Sequence, residues 1–472
     1  MLFVWDLTDS RVYGFHASPG VRYVCGGSWR AIDLPGVCVV GLPALILLAV
    51  IALVIVGTYY VVAASILREA PLLLGVIVLA AVALRVVYPD RYPSGFCEDE
   101  LHFFCQAAAS YQIDSRVTQS LFSFTDGVPT ALQVLFGAQI LPFTTPRIAI
   151  RGYSCVGSVL SVLIAFGVLR ACGVRAAGAL TVAALVAVLP WSLLYGRTSQ
   201  GGELVLHFYL LLWAVAVCCW GRSIAFAVWV GGLALTLLFY DYYCGRTAPL
   251  LVLGATILAP TWARRLGLVA MVAILAIAYA PTFMVVGLNN AGGVQFRGLG
   301  IPLLSSVGAG LAAVLERVPP IYSALTAPTA SVFWMSLPAA AVHPEALLFL
   351  SGAGLLAARW PVMLLLGGAI GVGFLPSLLA TDVLSTHRML LGCAALMLPV
   401  GVAIDWLRAP LRAPAAVALI VAVTQWSVPF FFADDAGLWS PPSWGYNIIN
   451  YHGRYTEHPE KAIGCVPLDW PS

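Results

Sequence analysis

Apolar runs of about twenty residues recur along almost the whole chain, and no other feature restricts its fold so severely. A helix needs roughly 20 apolar residues to cross the hydrocarbon core of a bilayer, and backbone polar groups inside lipid must bond within their own segment. The runs therefore predict membrane-spanning helices near 38–62, 71–88, 149–169, 176–195, 203–220, 223–240, 247–263, 266–287, 345–358, 361–378, 388–405 and 413–432. Composition agrees: 61% of the 472 residues are hydrophobic and only 10% are charged, with a mean hydropathy of +0.94, whereas soluble domains carry roughly a quarter charged residues. The expected fold class is all-α, a polytopic membrane helix bundle of about twelve transmembrane helices.

Arginine placement orients this bundle. Short cytoplasmic loops accumulate Arg and Lys, and translocated ones do not. The connections holding Arg68, Arg170 with Arg175, Arg222, Arg264 with Arg265, Arg359, and Arg408 with Arg412 all fall on one side of the predicted partition, which marks that side as cytoplasmic. Two long outer loops, about 89–148 and 288–344, then face outward with both ends of the chain. The division is an extracytoplasmic segment 1–37, a transmembrane domain 38–432 and a short extracytoplasmic tail 433–472. The formal charge is only +3 and the basic residues are scattered, so no block suggests nucleic acid. Lys461 is the only lysine and Ala, Val, Gly and Leu dominate, a usage typical of GC-rich bacterial genes, so a bacterial inner (plasma) membrane is expected. Cysteines such as Cys155, Cys172, Cys218 and Cys219 lie in apolar runs, where a free thiol packs as a small hydrophobe.

Directly after the second run, the sequence YPSGFCEDELHFFCQAAASYQ places Glu98, Asp99 and Glu100 together at the membrane surface. Leu101, Phe104, Cys105 and Ala108 follow at helical spacing, which predicts an amphipathic juxtamembrane helix in the first long outer loop, with the acids at its favourable N-terminal end. An arbitrary acidic triplet is most simply a cap and a solvated charge run. In a chain so poor in acids, three at the rim of a helix bundle are also candidates for activating a hydroxyl nucleophile, which requires a carboxylate within hydrogen-bond reach. Cys97 and Cys105 flank the cluster on the outer side, where a disulfide can form, although a continuous helix between them would hold them roughly 12 Å apart. Glu203 and His207 lie one helical turn apart at the start of the fifth run and share a face. Ionisable groups in hydrocarbon are costly, so both are expected to line an interior cavity, although a helix-start cap also accounts for Glu203. The loop 288–344 is rich in Gly, Ser and Pro and could close over a bound ligand.

These segments resemble the membrane-embedded glycosyltransferases of the C-type (GT-C) fold, which include the protein O-mannosyltransferases and the lipid A aminoarabinose transferase. The resemblance covers roughly 85–410. It begins with the pair Asp99-Glu100 and runs through FTDGVPTALQVLFGAQILPFTTPRIAIRGYSCVGSVLSVLIAF, with Arg151 at the arginine that opens the next span. LPWSLLYGRTSQGGELVL places Arg197 and Glu203 on the family's arginine and acid, and FYDYYCGRTAPL supplies Tyr240, Tyr242 and Arg246. LPSLLATDVLSTHRMLLGCAALMLPVGVAIDWL puts Arg388, beside His387, at the outer end of a late span. The chain departs from the family pattern in carrying the single Pro129 where two prolines are usual, and in an additional helix, 38–62, ahead of the family's first span.

The resemblance implies an enzyme that moves sugar from a polyprenyl-phosphate donor to a hydroxyl acceptor (protein, lipid or polysaccharide) on the extracytoplasmic face, with inversion. Asp99 would be the catalytic base, assisted or oriented by Glu100. Arg388 with His387, then Arg246 and Arg297, would hold the leaving phosphate, because a guanidinium stays charged and can bond two oxygens at once. Arg197 would be a structural or sugar-side group, and Tyr240 and Tyr242 would stack on sugar. The related enzymes generally need no metal or other cofactor, although Glu98, Asp99 and Glu100 could hold a divalent cation through oxygen. For any one arginine or tyrosine, anchoring at the membrane interface is an equally simple account. A transporter or lipid flippase is the rival reading, and a non-catalytic relative the plainest one.

Overall fold

The structure is a computed structural model that describes residues 37–68, 72–87, 146–198, 201–241, 243–289, 307–326, 344–379 and 386–432. Among them are fourteen α-helices, one 3₁₀ turn and no strand. In chain order they are α1 (Val37–Arg68), α2 (Leu72–Val86), α3 (Pro146–Ala171), α4 (Ala176–Val188), α5 (Pro190–Tyr195), α6 (Gly202–Trp220) and α7 (Ile224–Asp241). After the 3₁₀ turn Tyr243–Thr247 come α8 (Ala248–Ala255), α9 (Trp262–Asn289), α10 (Val307–Thr326), α11 (Pro344–Ala357), α12 (Trp360–Leu379), α13 (Thr386–Trp406) and α14 (Ala409–Phe432). Seven of these are long and apolar enough to cross a membrane, and α2, α4, α11 and α14 are shorter apolar helices. The molecule is an integral membrane protein with an all-α, polytopic helical fold.

Three departures from the sequence-based partition have local causes. The run 176–195 is cut in two. Pro190 lacks an N–H and forces the preceding Leu189 into an extended conformation (ψ 138°), so α4 ends there and α5 restarts at the proline. The run 247–263 contains only the eight-residue α8, too short to cross the hydrocarbon core by itself. Within the expected outer loop 288–344 lies α10, which carries Glu316 and Arg317 and contains Pro319 and Pro320.

The arginine-bearing connections gather at one end of the bundle. The carboxylate of Asp405, near the end of α13, accepts the Arg175 backbone N–H from the α3–α4 turn at 3.2 Å. Arg412 Nε donates to the Asp405 carbonyl at 2.9 Å. At the foot of α6, Arg264 caps the helix by donating to the Cys218 and Gly221 carbonyls at 2.7 and 2.8 Å. Gly173 closes α3 in a left-handed conformation (φ +82°), which lets the Val174 N–H reach back to the Leu169 carbonyl at 2.9 Å.

The helices approach one another over small residues, as bilayer proteins must when lipid competes equally for apolar side chains. Gly354 of α11 lies against the Pro399 carbonyl of α13, Gly373 of α12 against Gly392 of α13, and Gly178 of α4 against the Gly401 carbonyl. The most extensive contact is between α3 and α6, where Gly157 abuts the Glu203 backbone and Gly202 abuts the Ser154 carbonyl. A Cβ at Gly157 would meet main chain with no flexible atom to give way. Gly157→Val is expected to lower stability by about 1–3 kcal/mol. A lowered Tm of detergent-purified protein would register it, and an unchanged Tm would mean that α3 and α6 can part freely.

Candidate active site

A cluster of ionisable side chains sits inside the bundle at the end opposite the arginine-rich turns. Gly201, with φ +137°, turns the chain into α6 and leaves Glu203 in the first helical turn, where the helix dipole favours an acid. The Glu203 carboxylate accepts the Ser154 hydroxyl from α3 and takes backbone hydrogen bonds at Gly201 and Glu203. One turn further along α6, His207 Nδ1 pairs with the carboxylate of Asp241, the last residue of α7. The Tyr153 hydroxyl donates to Asp241 at 3.5 Å. The Tyr59 ring from α1 stacks on the imidazole with centroids 6.3 Å apart and planes 11° from parallel. Glu203, His207 and Asp241 are each no more than 1% exposed. A buried polar or ionisable group is costly without a hydrogen-bonding partner, and here each of the three has one. The Tyr59 hydroxyl is the exception: it is buried with no hydrogen-bond partner among the described residues.

Guanidinium groups surround the same end. Arg85, near the end of α2, donates from Nε to Ser158 Oγ at 2.7 Å, from Nη1 to the Ala187 carbonyl at 3.0 Å, and from Nη2 to the Val186 carbonyl at 3.3 Å and Ser192 Oγ at 2.8 Å. Those two carbonyls lose their helical partners where Leu189 and Pro190 break α4 from α5, and Arg85 replaces them. Arg197, just after α5, donates to the Leu84 and Val87 carbonyls of α2, each at 2.7 Å. Arg151 lies close enough to act electrostatically on Arg197. The 3₁₀ turn that carries Arg246 directly follows α7, which ends at Asp241, and packs against α13, whose first turn carries Arg388.

The sequence-nominated residues distribute as follows. Arg151, Arg197, Glu203, Tyr240, Arg246 and Arg388 come together at this end. The Arg197 guanidinium donates to the Leu84 and Val87 carbonyls, and the Tyr240 hydroxyl donates to the Ala278 carbonyl of α9 at 3.0 Å. His387 lies in the first turn of α13, its side chain outside the described residues. Asp99, Glu100, Arg297 and Tyr242 also lie outside them, as do Glu98, Cys97 and Cys105. Sequence reasoning missed Asp241, Arg85, Tyr59, Tyr153 and Ser154. Asp241 and Arg85 had a usable signal, a charged residue within an apolar run on the side where arginines are scarce. Among the described residues, no group of three His, Cys, Asp or Glu side chains could hold a metal ion.

No known family profile and no curated protein sequence matches the chain. Solved structures do. The archaeal oligosaccharyltransferase AglB from Archaeoglobus fulgidus, in complex with an inhibitory peptide and a dolichol-phosphate, matches with a TM-score of 0.52 at 15% identity, over 77% of this chain and 55% of that one. Two further structures of an oligosaccharyltransferase from the same organism match with TM-scores of 0.47 at 14% identity, over 77% of this chain and 53% and 55% of theirs. One is in complex with Zn and sulfate, and the other is tethered to an acceptor peptide. This chain thus spans about half the length of the structures it matches. The likeness to the first is one of fold alone.

Proposed function

We propose that this protein is a membrane glycosyltransferase that moves a sugar from a polyprenyl-phosphate-linked donor to an acceptor hydroxyl on the extracytoplasmic face. One observation carries the reading: within a fold shared with a glycosyltransferase, Glu203, His207, Asp241, Arg246 and Arg388 converge at one end of the bundle. That is the end at which α2 leads toward Asp99 and Glu100.

The chemistry is a single displacement. The acceptor hydroxyl gives its proton to the Asp99 carboxylate, oriented by Glu100, as its oxygen bonds to the anomeric carbon. The bond from that carbon to the phosphate oxygen breaks on the opposite side, so the configuration inverts. The departing polyprenyl phosphate is stabilised by Arg388 with His387, and by Arg246 and Arg297, whose guanidiniums match its oxygens. Tyr242 stacks on sugar. The composition supports a bacterial inner membrane, and the arginine pattern supports a site open to the periplasm. A hexose or pentose donor, as in the O-mannosyl and aminoarabinose branches, is the finer reading. The dolichol-phosphate in the AglB complex makes a lipid-phosphate ligand a reasonable one to test here.

A transporter would set its polar groups near the midplane on interrupted helices with their ends facing the ligand. Here Glu203 and Asp241 lie at the ends of α6 and α7, which favours chemistry at the rim. The deciding experiment is reconstitution in liposomes with polyprenyl-phosphate mannose or polyprenyl-phosphate aminoarabinose and a cell-envelope extract as acceptor source. Release of free polyprenyl phosphate is expected with one of them. Donor crossing the bilayer intact, with no release, would replace the transferase by a flippase.

A further inference from the structure

Arg85 and Arg197 form a reciprocal brace that the displacement chemistry does not use. The C-terminal carbonyls of a helix have no partners within it and are ordinarily met by water or a capping turn. At the end of α2 they are met by Arg197, whose Nη1 donates to Leu84 O and Nη2 to Val87 O, each at 2.7 Å. A planar fork of two N–H groups can hold two carbonyls three residues apart at one helix end, and a lysine offers only a point charge. Arg197 is itself set by α5: its N–H donates to the Leu194 carbonyl at 2.9 Å, and the Gly196 N–H to the Ser192 carbonyl at 3.0 Å. The break between α4 and α5 is fixed in turn by Arg85 of α2, through Ser192 Oγ of α5 and the freed carbonyls of Val186 and Ala187 at the end of α4. Gly196 has no room for a side chain, because a Cβ there would press on Ser158 and on Arg85 Nε. Arg85 of α2 therefore holds the cut end of α4, and Arg197, just after α5, holds the end of α2, each through a buried guanidinium, Arg85 at 2% and Arg197 at 3% exposure.

Val87, the residue after α2, is followed twelve positions later by Asp99. We infer that Arg197 is a positioning residue: by clamping Leu84 and Val87 it fixes the direction in which the chain leaves α2 toward Asp99, with Arg85 holding the clamp in register. The inference rests on the transferase reading for its effect on turnover, and on geometry alone for its effect on the chain after Val87.

Arg197→Lys and Gly196→Ala test it, with Arg175→Lys as a control at the far end of the bundle. Two readouts are taken in the full-length protein: hydrogen exchange of the peptides covering 88–105, and initial rates of polyprenyl-phosphate release from the mannose or aminoarabinose donor. Arg197→Lys is expected to raise exchange in 88–105 by tenfold or more. It should lower kcat by at least tenfold while leaving the donor KM within threefold and the Tm within a few degrees. Gly196→Ala should act in the same direction, and Arg175→Lys should change neither readout. Unchanged exchange after Val87, or a kcat loss matched by an equal collapse of Tm, would overturn the clamp. If wild-type protein releases polyprenyl phosphate from neither donor, the transferase reading fails, and the exchange result alone decides whether Arg197 positions the segment.

Discussion

Asp99→Asn is expected to reduce kcat for sugar transfer by about 10²–10⁴, the contribution of a positioned general base. Asparagine keeps the size and planarity of the carboxylate and can still accept a hydrogen bond from the acceptor hydroxyl, but it cannot take the proton as the new bond forms. The donor KM should change by less than about threefold, because the proposed contacts to the phosphate come from Arg388 and Arg246 and are present in ground and transition state alike. Membrane insertion and Tm should match wild type. Glu100→Gln, altering the orienting partner, should cost less. A purified Asp99→Asn protein that transferred sugar at the wild-type rate would remove the proposed base and, with it, the mechanism.

The second large effect concerns the pair inside the bundle. Asp241→Leu leaves the His207 imidazole buried without its carboxylate, and breaking a buried pair from one side costs about 3–5 kcal/mol. Part of that cost is offset, since Asp241 and Glu203 lie within electrostatic range and repel one another when both are charged. Replacing both partners, Asp241→Leu with His207→Leu, should recover most of the stability lost in either single variant, because no polar group is then left stranded. SDS titration of refolded protein measures the four corners of this cycle. Two single variants as stable as the wild type would mean that the pairing is incidental. Sugar transfer separates a purely structural pair from a functional one: the stable double variant should be inactive if His207 and Asp241 face substrate, and active if they only fasten α6 to α7.

Much of the architecture was legible because lipid imposes simple rules. The apolar runs located nearly every helix to within a few residues, and the arginine count anticipated that Arg175, Arg264, Arg359 and Arg412 would lie at one end. What hydropathy could not reveal was how a run is interrupted. The segment 176–195 is apolar on both sides of Pro190, and its break is tolerated only because Arg85, 101 positions earlier than Val186, supplies the missing donor. The site was legible in part for a similar reason. Glu203 and His207 could be paired from their spacing along α6, since one element carries both. Asp241 could not, because its partnership with His207 is made by packing α6 against α7 across 34 residues of sequence. Tyr59 was harder still. Nothing in the helix 38–62 marks it as different from its neighbour Tyr60 until α1 lies across α3 and α6, with one ring over the imidazole and the other exposed.

The mutual hold of α2 and α5 also has a consequence for biosynthesis. When α2 first leaves the translocon, the Leu84 and Val87 carbonyls have no protein donor, and the one they will use lies 113 and 110 residues downstream. At roughly 5–20 residues per second of synthesis, several seconds separate the two. During that interval the C-terminal end of α2 has only water to meet these carbonyls, and it is expected to settle to its final depth once Arg197 arrives. Ribosome stalling between residues 90 and 190 should therefore trap a nascent chain whose second helix is inserted but shallow.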